Sequence, residues 1–86
     1  MAHIQIYTTQ YCPYCVHAKA LLDKKNVAYQ EIAVDDDSQK RIEMERKSNR
    51  HTVPQIFIND NPIGGCDELH HLESTGQLDK LLNQSL

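Results

Sequence analysis

No apolar run in this 86-residue sequence approaches the length of a membrane-spanning helix, so a bilayer anchor of that kind is excluded. Basic residues are outnumbered: nine Lys and Arg against twelve Asp and Glu leave a net charge of −3. The pI is near 5.9, and the chain offers no broad positive surface for nucleic acid or an anionic membrane. Cysteine is scarce too. Three residues, two of them in one CxxC, do not make a disulfide framework and point to catalytic use in a reducing compartment. The opening Met1-Ala2-His3-Ile4 lacks the charged and apolar regions of a signal peptide. A cytoplasmic protein is expected. Repeats, linkers and low-complexity tracts are missing. With 40% hydrophobic and 24% charged residues, the composition is that of one globular domain over 1–86, with room for a small sheet and a few helices.

What is present centres on Tyr11-Cys12-Pro13-Tyr14-Cys15, placed where a strand hands over to a helix. Proline suits the first helical position because its missing N–H would have had no intrahelical partner. Cys12 then falls at the N-cap, where free amides and the helix dipole favour an ionised, nucleophilic sulfur. Cys15, one turn on, is close enough to close a disulfide with it. A zinc half-site is the competing reading of a CxxC. Structural zinc requires four ligands, and the chain supplies only Cys66 and five histidines, none in the HxxxH spacing. His70 and His71 are adjacent and cannot share a helix face. No metal site is expected, and the pair reads as a redox dithiol.

Ile4 and Ile6 alternate with His3, Gln5 and Tyr7, the period of a strand ending at Thr8-Thr9-Gln10. Cys15, Ala18, Leu21 and Leu22 recur at helical spacing, predicting a helix over 13–25 closed by Asn26 at C′. A second strand over 27–34 completes a right-handed βαβ unit with the two strands parallel. Asp35-Asp36-Asp37-Ser38 supplies a turn and cap for a polar helix over 38–48. Only Ile42 and Met44 are apolar in it, so a surface helix is expected, with Glu43 and Lys47 as an i,i+4 pair. Gln55 to Ile58 is a third strand, Asn59-Asp60-Asn61 a hairpin turn, and Pro62-Ile63 a short return strand at an edge. Gly64-Gly65 permits a close backbone approach, and Cys66-Asp67-Glu68 opens a helix with Leu69 and Leu72 on its apolar side. Gly76 ends it, and Gln77 to Leu82 forms a short final helix. The order β-α-β-α-β-β-α implies an α/β fold: a small four-stranded mixed sheet with helices on both faces.

Three motifs, Cys12-Pro13-Tyr14-Cys15, Thr52-Val53-Pro54-Gln55 and Gly64-Gly65-Cys66-Asp67, give the chain a resemblance to the dithiol glutaredoxins of the thioredoxin fold, specifically the small bacterial ones. The resemblance covers nearly the whole length. It implies glutathione as electron donor and co-substrate, with no tightly bound cofactor. It further implies that Val53 precedes a cis proline, Pro54, and pairs its backbone with the cysteinyl part of glutathione, beside Thr52. Gly65 and Cys66 would offer helix N-terminal amides to the γ-glutamyl carboxylate, and Asp67 would meet its ammonium. Arg41 stands where the family reaches the glycine carboxylate, and Tyr14 lends its ring and hydroxyl. Cys66 is expected to contribute backbone while its thiol stays buried. Where many relatives carry a lysine three residues before the first cysteine, this chain has Thr9, which removes one contact to glutathione and one source of thiolate stabilisation.

The implied activity is reduction of protein disulfides and glutathione mixed disulfides by Cys12 and Cys15, acting as a monomer. Clients would be disulfide-bearing or glutathionylated proteins, ribonucleotide reductase being one candidate. Two other readings remain. A carrier of a glutathione-ligated [2Fe-2S] cluster is disfavoured by Pro13, since relatives that hold clusters generally have small, flexible residues there. A donor reduced by thioredoxin reductase is disfavoured by the set Arg41, Thr52-Val53-Pro54 and Gly65-Cys66-Asp67.

Overall fold

The computed structural model describes residues 2–84. The Met1 end of the N-terminal reading and the last two residues of the 1–86 span lie outside the described residues. Strand β1 (Ile4–Thr8) occupies an interior position of a four-stranded sheet ordered β2-β1-β3-β4. Its alternation explains the place: Ile4 and Ile6 face one side, Tyr7 the other, and all three are buried. Helix α1 (Pro13–Lys24) crosses to β2 (Gln30–Ala33), which pairs parallel to β1 from Gln5↔Gln30 to Thr8↔Ala33. Strand β3 (Gln55–Ile58) pairs antiparallel to β1, and β4 (Asn61–Gly64) antiparallel to β3. This is the small mixed sheet expected from the order of elements, and the thioredoxin fold that the resemblance implies.

One face carries the larger core. Ile4, Ile6, Ile56 and Ile58 meet Ala18, Leu21 and Leu22 of α1, Leu69 of α3 (Cys66–Ser74), and Leu78 and Leu82 of α4 (Gln77–Leu82). Asn26 is left-handed at φ 59°, as its C′ position requires. Asn59 and Asp60 are both left-handed, the two-residue pattern that matches the twist of a hairpin, so the turn is one residue shorter than expected and Asn61 already pairs with Ile58. Pro62 lies on the edge strand, where no ladder bond is asked of its nitrogen. Among the described residues, no helix is long and apolar enough to cross a membrane.

Three further expectations are corrected. Strand β2 begins at Gln30, three residues later than Val27: Val27 and Tyr29 pack against the core, but strand pairing starts only where β1 is alongside. Helix α2 (Ser38–Ser48) is not merely superficial, because Met44 is 0% exposed and closes a second core with Tyr7, Val34 and Phe57. That core is built around the edge-to-face rings of Tyr7 and Phe57, 5.5 Å apart. Lys47 lies over the Phe57 ring at 4.9 Å, while Glu43 faces Lys40 at 3.6 Å, so the expected Glu43–Lys47 pair is replaced.

A charged clasp closes the far end of the molecule. Lys25, just past α1, contacts Glu73 of α3 at 2.6 Å and Asp79 of α4 at 2.9 Å. Hydrogen bonds to Glu73, then to Asp79, hold the Lys25 ammonium above the usual lysine range. A raised pKa means that this contribution is complete below the unfolded value of about 10.4 and is lost as pH climbs through the folded one. Lys25→Met is therefore expected to lower the melting temperature by a few degrees at pH 7. In thermal melts repeated at rising pH, the gap to wild type should close once lysine loses its proton.

Candidate functional site

The carboxyl end of β1 delivers the chain to Cys12 at the mouth of α1. Cys12 is the N-cap, with extended φ −132° and ψ 102°, and its Sγ accepts the backbone N–H of Cys15 at 3.1 Å. Pro13 at the first helical position leaves that amide without a competing local donor, as the sequence implies. The sulfur is half-buried and also faces the Val53 carbonyl at 3.8 Å. Cys15 is 1% exposed, beneath the first turn. Burial, then hydrogen bonding and charge repulsion from Cys12, push its thiol up to about 12. At pH 7 Cys15 is therefore held as the thiol. The two sulfurs of one motif thus occupy opposite environments, one accessible and stabilised by an amide, the other dry and protonated.

Beside Cys12 opens a cleft of about 390 Å³. Tyr14, 62% exposed, lines it from α1; Thr52, Val53 and Pro54 line it from the loop before β3; Gly65, Cys66 and Asp67 line it from the start of α3. The Val53–Pro54 peptide is cis. Gly64 is left-handed at φ +111°, and a Cβ there would stand 2.8 Å from Glu68 Cγ. A Cβ at Gly65 would meet the Pro54 carbonyl at 3.2 Å. The paired glycines therefore let the α3 N-terminus close up against the Pro54 backbone, which brings the second and third motifs onto one wall.

Cys66 is 8% exposed, and burial followed by the neighbouring Asp67 charge raises its thiol. Its Sγ lies 3.4 Å from His70 Nδ1, but that nitrogen is also 2.9 Å from the Cys66 carbonyl. Of the residues anticipated from sequence, Arg41 is not in the cleft lining. Its guanidinium is drawn to the His51 carbonyl at 3.1 Å and to Glu45 at 3.7 Å, so it ties down the loop instead. Thr9 lines a separate depression with Lys19, Glu31 and Asp35.

Two lining residues were not anticipated. Arg50 and Glu68 form an ion pair at 3.1 Å, and Glu68 also accepts the Gly65 N–H at 2.7 Å. That amide first, with Arg50 adding to it, holds the Glu68 carboxyl below the usual range. The signal was there to find. Glu68 sits three residues after Gly65, where a side chain can return to the N-cap amide, and Arg50 is a cation two residues before Thr52.

A family model described as Glutaredoxin matches residues 4–63. The chain is 54% identical to Glutaredoxin 3 of Escherichia coli strain K12 over 82 residues, covering 95% of this chain and 99% of that protein. Among solved structures, a solution structure of glutaredoxin from Brucella melitensis is 48% identical with a TM-score of 0.82, covering 93% of this chain and 87% of that one. A crystal structure of a buckwheat glutaredoxin-glutathione complex is 30% identical with a TM-score of 0.86, covering 94% and 76%.

The contrast between the sulfurs has a direct readout. Reduced protein treated with limiting iodoacetamide at pH 7 is expected to be alkylated at Cys12, with Cys15 and Cys66 labelled only after denaturation. Peptide mass spectrometry resolves the three sites, and comparable labelling of Cys15 in the folded protein would contradict the assignment.

Proposed function

This chain belongs to the glutaredoxin family and is a thiol–disulfide oxidoreductase, and from that premise we propose that it uses glutathione as electron donor, with Cys12 as nucleophile and Cys15 as resolving thiol. The observation that carries the proposal is the sulfur at the head of α1, accepting an amide and facing the Val53 carbonyl of the cleft wall. In the monothiol route, the Cys12 thiolate attacks the glutathione sulfur of a mixed disulfide. The bond to the substrate sulfur breaks, the substrate leaves as thiolate and takes up a proton, and Cys12 is left glutathionylated. A second glutathione thiolate then attacks the glutathione sulfur on Cys12, forming glutathione disulfide and returning Cys12 as thiolate. In the dithiol route, the Cys12 thiolate attacks a protein disulfide and expels one of its sulfurs as thiolate, the Cys15 thiolate attacks the Cys12 sulfur and releases the second protein thiol, and two glutathiones reduce the Cys12–Cys15 bond and leave as glutathione disulfide.

Stabilising an attacking thiolate brings little net gain in attack, since intrinsic nucleophilicity falls with pKa at a Brønsted slope of about 0.4–0.5. The benefit lies in departure. A sulfur that accepts a helix amide is the better leaving group when glutathione arrives, which speeds the second half of each route.

Glutathione is read into the cleft in extended form. Its cysteinyl backbone would pair with Val53 next to Thr52 and Pro54, and Tyr14 would cover it. Its γ-glutamyl carboxylate would take the amides at Gly65 and Cys66, with Asp67 toward the ammonium. Arg50, which lines the cleft, is offered to the ligand as a further cation beside Arg41, which is tied to the neighbouring His51 carbonyl. A crystal structure of a related glutaredoxin with glutathione supports this reading. The same reading takes residues 1–86 as a single domain, monomeric and cytoplasmic, without a tightly bound cofactor. Its clients are disulfide-bearing or glutathionylated proteins, with ribonucleotide reductase a candidate.

Serine variants separate the routes. Cys12→Ser is expected to reduce turnover of both substrate types to the uncatalysed rate, whereas Cys15→Ser retains turnover of a glutathione mixed disulfide and loses reduction of a protein disulfide. Both are read with glutathione as sole donor, in assays coupled to glutathione reductase. Loss of mixed-disulfide turnover in Cys15→Ser would refute the division of roles.

A further inference from the structure

We propose that Gln55 is a positioning residue that holds Thr52 and Val53 in register with Cys12, and so sets the affinity of the cleft for glutathione. The inference rests on the functional reading above and concerns a side chain that does not line the Cys12 cleft.

Gln55 opens a strand whose other residues, Ile56, Phe57 and Ile58, are apolar, and it is 1% exposed on the sheet side covered by α2, opposite Tyr7. A polar amide is costly in such a place unless its groups are paired. Its two hydrogen bonds both go to one residue: Nε2 donates to the Thr52 carbonyl at 3.0 Å and to Thr52 Oγ1 at 3.2 Å. Its Oε1 is buried without a protein partner. Packing alone does not account for this choice, because an apolar side chain of similar shape would leave no unpaired oxygen.

The segment it reaches needs holding. Among the described residues, no backbone–backbone hydrogen bond fastens residues 50–54. Side chains take over. Arg41 grips the His51 carbonyl, Ser48 exchanges two hydrogen bonds with Arg50, and Gln55 grips Thr52. Of the three, only Gln55 acts from the rigid sheet on the residue next to Val53, whose carbonyl stands 3.8 Å from Cys12 Sγ. Without it, Thr52 and Val53 would sample orientations in which their backbone groups no longer meet an extended ligand, and ordering them would draw on binding affinity.

The variant Gln55→Met keeps length and burial but cannot donate. Its apparent KM for a glutathione mixed disulfide is expected to rise about five- to tenfold, the scale of one or two lost hydrogen bonds. Saturated turnover and the Cys12 alkylation rate should stay within about twofold of wild type, because α1 is untouched. The melting temperature should not fall, since the unpaired Oε1 goes with the amide. Gln55→Leu provides a second apolar variant should the first fail to fold. An unchanged KM in a folded variant overturns the inference, as does a parallel loss of KM, turnover and melting temperature, which would mark a merely structural role. Wild-type protein that does not turn over the mixed disulfide with glutathione would instead defeat the functional reading itself.

Discussion

One amide hydrogen bond organises the chemistry: Cys15 N–H to Cys12 Sγ, 3.1 Å long, at the head of α1. It exists because β1 ends where α1 begins, and β1 ends there because it is an interior strand buried on both faces whose hydrophobic alternation runs out at Thr8. A parallel partner for β1 requires a crossover, and the crossover helix must start above the sheet's carboxyl edge. Pro13 then starts α1 immediately after Cys12. The sulfur is placed by the topology before any side chain specific to substrate is considered.

The other half of the site is built differently. The wall made of Thr52, Val53 and Pro54 has no regular secondary structure and is held by side chains reaching in from α2 and β3. Against it, α3 can approach closely because positions 64 and 65 lack a Cβ, and the approach is clasped by Glu68, which joins the Gly65 amide to Arg50. In the proposed function a rigid helix end supplies the reactive atom, and a tethered loop supplies the surface on which a peptide-like ligand would lie. Reactivity and recognition can be altered separately, since the groups that set one are not those that set the other.

Which parts of this were visible in the sequence follows from how local the causes are. Strand β1, helix α1 and the cap at Cys12 depend on spacing within about a dozen residues, and they were read correctly. The hairpin was visible from Asn59-Asp60, though one residue too long, because two left-handed residues suffice where three turn-formers stand in a row. The depth of Met44 was hidden because α2 looks polar by count, and what buries that residue is a pair of aromatic rings contributed by β1 and β3. Arg41 was assigned to the ligand by family position, but its partner is a carbonyl ten residues on. Lys25 bridging to Glu73 and Asp79, and Gln55 serving Thr52, are contacts between charges or amides that look like ordinary surface and strand residues until the chain is folded.

The raised Cys15 thiol also gives the proposed dithiol route its order. Three influences hold that proton in place: burial, the hydrogen bond to Cys12, and the charge on Cys12. The last two act only while Cys12 carries a free sulfur. Once Cys12 has been joined to a client sulfur, its charge is gone and with it the repulsion and the anionic acceptor, leaving burial as the main restraint. Cys15 therefore becomes easier to ionise only after the mixed disulfide has formed, the state in which a second thiolate is wanted. Before that moment it does not compete with Cys12 for substrate. Glutathione mixed disulfides need no such step, which is why the two substrate classes should depend so differently on the buried sulfur.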